Sequence, residues 1–167
     1  MKRALLLAAA AILAVTPVAS AQSAVFLVRH AERADAVTGG STMMATDPDL
    51  SDAGRVRAQS LATALKDAGI TAIYTTEYKR TKQTAEPLAR VLGIEATALP
   101  ARDMPALIQK LKSGSGNALV VGHSNTVGEV IAALGVADPV KLTDSDYDNL
   151  FVVVRSEKPT LVRLHYR

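Results

Sequence analysis

Two short runs in this chain are apolar at every position: Ala24-Val25-Phe26-Leu27-Val28 and Ala118-Leu119-Val120-Val121. A strand with one wet face alternates apolar and polar residues. An unbroken apolar run of this length marks a strand buried on both faces, as in a parallel sheet with helices on either side. The intervening chain agrees. Ser51 reads as a helix N-cap with Asp52 in the first turn, Ala58, Leu61, Ala62 and Leu65 follow at helical spacing, and Gly69 is a stop. Ile70 to Thr75 reads as a second strand. Tyr78 to Leu92 reads as a helix that Pro87 should kink or divide, and Ile94 to Leu99 as a third strand. Met104, Leu107, Ile108 and Leu111 carry the next helix, and Val127, Val130, Ile131 and Leu134 the last. Phe151 to Val154 and Leu161 to Tyr166 read as a closing hairpin around Glu157-Lys158-Pro159. Strands alternating with helices predict an α/β fold: a three-layer α/β/α sandwich on a mostly parallel sheet, with an antiparallel C-terminal addition.

The chain has 167 residues, the size of one domain, and 49% of them are apolar. The first 21 residues read separately, as a signal peptide. Lys2 and Arg3 precede an apolar stretch from Ala4 to Val15, Pro17 breaks it, and Ala19-Ser20-Ala21 offers a cleavage site. The stretch is shorter than the ~20 residues of a membrane span. The expected domain is therefore 22–167, periplasmic or secreted, with no stable membrane anchor after cleavage. Loss of Lys2 and Arg3 from 19 basic residues, against 16 acidic ones, leaves a net charge of +1. No basic block remains to suggest nucleic acid. The absence of cysteine excludes disulfides, thiolate metal sites and a cysteine nucleophile.

In open α/β sheets, ligands bind beyond the carboxyl ends of the strands. Two of the three histidines stand there: His30 after the first strand and His123 after the fourth. Neighbouring strands would bring both imidazoles together over one sheet edge. Arg29 adds a fixed positive charge, and Arg80 follows Thr75-Thr76-Glu77 by about one helical turn. Guanidinium groups and the free N–H groups that open a helix suit a phosphate dianion. A neutral imidazole can attack phosphorus, and a second one binds the transferring oxygens best as a charged donor. His165, in the last strand, reads as a sheet-edge residue. Met43 and Met44 read as loop packing, and Asp144, Asp146 and Asp148 lack the spacing of a calcium loop.

Leu27-Val28-Arg29-His30-Ala31-Glu32 resembles the Arg-His-Gly signature of the histidine phosphatase superfamily, which includes phosphoglycerate mutases and histidine acid phosphatases. Leu50-Ser51-Asp52-Ala53-Gly54, the segment from Tyr74 to Ala85 around Arg80, and Val120-Val121-Gly122-His123-Ser124-Asn125 resemble its further motifs, in the family's order. Tyr147-Asp148-Asn149-Leu150-Phe151-Val152-Val153 is similar to the closing segment of small bacterial members.

The resemblance implies a phosphoglycerate mutase-like fold and a phosphatase acting on a small phosphorylated substrate, with no metal or organic cofactor. It makes His30 the phosphorylated nucleophile, and Arg29, Arg80 and His123 the phosphate ligands. Ala31 departs from the usual glycine and narrows the pocket. The general acid has two candidates, Asp103 and Glu32. Each has a structural alternative: a helix cap for Asp103, and an ion pair with Arg33 or another pocket arginine for Glu32. The competing functions are a phosphomutase, which the short chain disfavours, and a non-catalytic phosphate-binding module, which the intact set Arg29, His30, Arg80 and His123 disfavours. Neither the physiological substrate nor the oligomeric state is legible in the motifs.

Overall fold

The computed structural model describes residues 22–36 and 47–167. The expected signal segment and the loop residues Met43 and Met44 lie outside these. Among the described residues, the elements run β1 (Ala24–Arg29), a short 3-10 turn (Ala34–Ala36), α1 (Asp52–Leu65), β2 (Ile70–Thr76), α2 (Lys79–Leu92), β3 (Thr97–Leu99), α3 (Met104–Ser113), β4 (Asn117–Gly122), α4 (Ser124–Ala133), β5 (Asn149–Val154) and β6 (Thr160–His165). They form one six-stranded sheet in the order β3-β2-β4-β1-β5-β6. The first four in that order are mutually parallel, β5 runs antiparallel to β1, and β6 antiparallel to β5. No helix among the described residues is long and apolar enough to cross a membrane.

The three layers follow from which way each strand's side chains point. On one face Val28, Ile73, Leu119 and Val121 meet Leu61, Ala62 and Leu65 of α1 and Ala85 and Leu88 of α2. On the other, Val25, Leu27, Val120 and Phe151 meet Leu111 of α3 and Val127, Val130 and Ile131 of α4. The strands that carry Ala24–Val28 and Ala118–Val121, β1 and β4, lie side by side at the centre of the sheet, where both faces are covered.

Two expectations need correction. α2 runs unbroken through Pro87, whose missing N–H removes one bond to the preceding turn. Thr84, Ala85 and Leu88 are buried on both sides of the proline, and this packing holds the helix across the gap. β3 is only three residues long, because just Thr97 to Leu99 pair with β2 at the edge of the sheet.

Candidate active site

Parallel pairing of β1 and β4 places Arg29 opposite Gly122, so His30 and His123 emerge together from adjacent strand ends. Their ring centroids are 5.3 Å apart and the rings meet edge to face. The His30 N–H donates to the Gly122 carbonyl at 2.9 Å, which locks the two strand ends together.

His30 is buried, with 3% exposure. Its Nδ1 lies 2.8 Å from the carbonyl oxygen of Ala31. A carbonyl can only accept, so Nδ1 carries the proton. Burial, and then the charges of Arg29, His123 and Arg80, push the ring's pKa down to about 3, against the pull of the Ala31 carbonyl. The imidazole is therefore neutral near pH 7, with Nε2 bare and nucleophilic.

The loop after His30 is held at two successive residues. The Ala31 N–H donates to Thr84 Oγ1 at 2.9 Å. The Glu32 carbonyl accepts from the Ser51 N–H at 2.9 Å and from the Ser51 hydroxyl at 3.3 Å. Ser51 Oγ also accepts from the Gly54 N–H, so the N-cap of α1 both starts the helix and grips the loop after His30. A Cβ at Gly54 would be driven into the Glu32 carbonyl oxygen, which is why the second motif carries glycine there.

Burial first, and then Arg80 and Arg29, push His123 down to about 4, opposed by the carboxylate of Glu77. It is therefore neutral in the free protein rather than the charged donor expected from sequence. Its Nε2 is 3.1 Å from Thr76 Oγ1, which is 2.9 Å from Thr81 Oγ1. Thr81 spends its single hydroxyl hydrogen on the carbonyls of Tyr78 and Thr76. Thr76 then donates to Thr81, and His123 Nε2–H donates to Thr76. The one proton of the neutral ring is thus on Nε2, and an anion would have to draw it away from Thr76. His123 also opens α4, and its own N–H donates to Thr126 Oγ1 at 2.9 Å.

Arg29 is 6% exposed and its guanidinium lies 4.2 Å from the centroid of the Tyr147 ring. Nη1 donates to the Thr143 carbonyl at 2.8 Å and Nη2 reaches Asp144 at 3.4 Å. Arg80, on the first turn of α2, stacks over Tyr78 at 4.3 Å and stands 3.7 Å from Asp47. Burial, and next the charge of Arg33, lower its pKa, so two like charges face the same space. The Nε atoms of Arg29 and Arg80 are buried without hydrogen-bond partners. Two desolvated guanidiniums beside two imidazoles form a site for a polyanion.

The carboxylates divide. Both oxygens of Glu32 are taken by Arg57, from Nε at 2.8 and 2.9 Å and from Nη2 at 2.7 Å. Its ion-pair partner is Arg57 of α1, not Arg33, which pairs with Asp35 at 2.9 Å. Asp103 caps α3, its Oδ1 accepting from the Ala106 N–H at 3.1 Å. It also lines, with Thr76, Gly122 and Thr126, an otherwise largely apolar cavity between the sheet and helices α3 and α4. Glu77 accepts from the Ala101 N–H at 2.7 Å, tying the end of β2 to the turn before α3.

Tyr78, Tyr147 and Glu77 have no role assigned from sequence, although all three stand inside quoted motifs. Asp144 meets Arg29, Asp146 accepts from the Thr143 N–H and hydroxyl, and Asp148 lies 3.1 Å from His165, which is exposed at the end of β6.

Residues 25–103 match the family model for the histidine phosphatase superfamily, branch 1. Among curated proteins, no sequence matches this chain. Among solved structures, the chain resembles a mycobacterial glucosyl-3-phosphoglycerate phosphatase (14% identity, TM-score 0.65, covering 87% of this chain and 98% of that one). It also resembles a phosphoserine phosphatase mutant from Entamoeba histolytica in complex with phosphoserine (15% identity, TM-score 0.62, covering 84% and 95%). At such identities the likeness is one of fold.

Proposed function

We propose that this chain, whose residues 25–103 match the histidine phosphatase superfamily model, acts as a member of that superfamily and hydrolyses phosphomonoesters through a phosphohistidine formed on His30. The observation that carries this reading is the His30 ring itself: neutral, with Nδ1–H spent on the Ala31 carbonyl and Nε2 bare, in a pocket shared with Arg29, Arg80 and His123.

Nε2 attacks phosphorus as the ester P–O bond breaks, and the leaving oxygen takes a proton from an acid. The phosphorylated imidazole keeps its Nδ1–H, and the Ala31 carbonyl stabilises the positive charge that develops on the ring. Arg29, Arg80 and His123 neutralise the equatorial oxygens in the transition state. Water then attacks the phosphohistidine, the N–P bond breaks, and inorganic phosphate leaves with His30 restored. Asp103 is the favoured acid, because it borders the cavity that reaches Thr76, whereas Arg57 holds both oxygens of Glu32. The amino-terminal pattern supports action outside the cytoplasm after loss of residues 1–21. Mass mapping of protein from the native host should then find Gln22 first, and a retained Met1 would refute it.

A phosphoramidate survives alkali and is lost in acid. Rapid alkaline quenching with labelled p-nitrophenyl phosphate should trap label on the peptide containing His30. His123→Ala should slow the labelling without moving it. Full turnover by His30→Ala would overturn the reading in favour of direct attack by water.

A further inference from the structure

Thr84 has no solvent exposure and does not border the substrate space, yet its hydroxyl joins two parts of the site. It sits in α2 one turn beyond Arg80. Its hydrogen goes to the Arg80 carbonyl at 2.7 Å, and its oxygen accepts from the Ala31 N–H at 2.9 Å. The directions are fixed, because an N–H and a carbonyl each allow one role.

Ala31 owns the carbonyl that holds His30 Nδ1–H. Its amide side is gripped by Thr84, and the next carbonyl, that of Glu32, is gripped by Ser51. Between these two anchors the direction of the Ala31 carbonyl is set. The side chain of Ala31 is itself buried against Leu50 and Ala58, which leaves the loop no room to turn.

We propose that Thr84 is a positioning residue: through the Ala31 peptide it aims the carbonyl that selects the reacting tautomer of His30, and it ties that carbonyl to the helix bearing Arg80. The catalytic half of this inference rests on His30 as nucleophile; the structural half does not. A valine at position 84 keeps the shape but strands the Ala31 N–H in a dry interior, where an amide without a partner pulls its peptide toward another acceptor. A serine keeps the bond.

The test is nitrogen NMR of histidine-labelled protein together with turnover of p-nitrophenyl phosphate. In the wild type between pH 5 and 8, His30 should show a protonated Nδ1 and a bare Nε2. Thr84→Val should mix the tautomers and lower kcat by about 10- to 100-fold, the scale of a small misplacement of a reacting group. KM should change far less, and Thr84→Ser should restore both readouts. A wild-type tautomer and kcat in Thr84→Val would overturn the proposal, as would a Thr84→Ser variant as impaired as the valine. If the valine variant does not fold, the wild type still decides. Rapid hydrogen exchange at the Ala31 amide, or a protonated Nε2, would overturn the proposal, whereas slow exchange with a bare Nε2, both kept in Thr84→Ser, would support it. A protein inert to phosphomonoesters whose tautomer still responds to Thr84→Val would sink the phosphatase reading and leave the positioning role standing.

Discussion

Arg29 and Arg80 each face an aspartate, which a phosphate at the proposed site would have to outcompete. The contacts are long, 3.4 Å to Asp144 and 3.7 Å to Asp47, and Asp144 is almost fully exposed. Such pairs contribute little, so a dianion with several oxygens displaces them at small cost. Arg80→Ala should therefore lower kcat on p-nitrophenyl phosphate by about 10²- to 10³-fold, as loss of a transition-state donor does. Lys79→Ala should leave kcat nearly unchanged, since the Lys79 ammonium pairs with Asp49 at the surface and the backbone N–H that binds Asp47 is kept; equal losses would put the wrong residue in the pocket. The acid calls for a different comparison. An alkoxide leaving group needs a proton in the transition state and a nitrophenolate barely does. Asp103→Asn should thus impair alkyl phosphates much more than aryl phosphates, while Glu32→Gln should impair both alike by loosening the Arg57 clamp. Were Glu77→Gln to show the alkyl-selective loss, the proton would come from the end of β2. The convergence of Arg29, His30, Arg80 and His123 was legible because each stands at or shortly after a strand end in a short local motif. The fate of Glu32 was not, because its partner stands 25 residues away and the pair forms only when α1 docks on the loop after His30.

Elements here do two jobs at once, and α1 is the clearest case. Its N-cap Ser51 and its Gly54 both press on the Glu32 carbonyl, so the start of one helix fixes the loop of another element. A Cβ at Gly54 collides with backbone, which cannot swing aside as a side chain can. Gly54→Ala should destabilise the protein by about 1–3 kcal/mol, as overpacking does, and should also lower kcat. Gly128 in α4 provides the control. A Cβ there meets only atoms of Val140 among its three nearest, and none of the loop after His30, so Gly128→Ala should lose comparable stability with kcat largely kept. Urea titrations and turnover on the same preparations distinguish the two, and an unimpaired kcat in Gly54→Ala would remove the helix start from the machinery. Periodicity found the helices and both central strands because burial on two faces leaves an apolar signature. The division that Pro87 could have made does not occur, since a single lost hydrogen bond is outweighed by the apolar face of α2, which propensity alone does not weigh. Periodicity lengthened β3 because an edge strand is ended by pairing, and Ile94 to Ala96 have no partner in β2.

At the scale of the molecule, the site is a standing charge on stability. His30 and His123 sit over the sheet edge with pKa values of about 3 and about 4, well below the ordinary value near 6.5. Burial is the first cause for both, and the facing guanidiniums of Arg29 and Arg80 add to it, with only Glu77 and the Ala31 carbonyl pulling the other way. An unfolded chain protonates these rings as the pH falls through 6.5, whereas the folded chain does not until about 4 and then 3. Between those limits the unfolded state binds more protons, so the stability of the fold decreases as the pH decreases. Each fully responsive ring contributes a slope of up to about 1.4 kcal/mol per pH unit. Above pH 7 neither ring differs between the two states, and this contribution is flat. Urea unfolding measured from pH 7.5 to pH 4.5 should therefore show a steep loss below about pH 6.5 in the wild type. In His30→Asn the slope should fall by roughly half, and in the double variant with His123→Asn it should nearly vanish, leaving the carboxylates to act only at lower pH. Phosphate or vanadate should oppose the acid loss, because an anion bound between the arginines makes a protonated His123 acceptable in the folded state. A wild type whose stability stays level from pH 7 to pH 4.5 would mean that the two rings titrate alike in the folded and unfolded chain, and that neither burial nor the facing arginines hold their protons off.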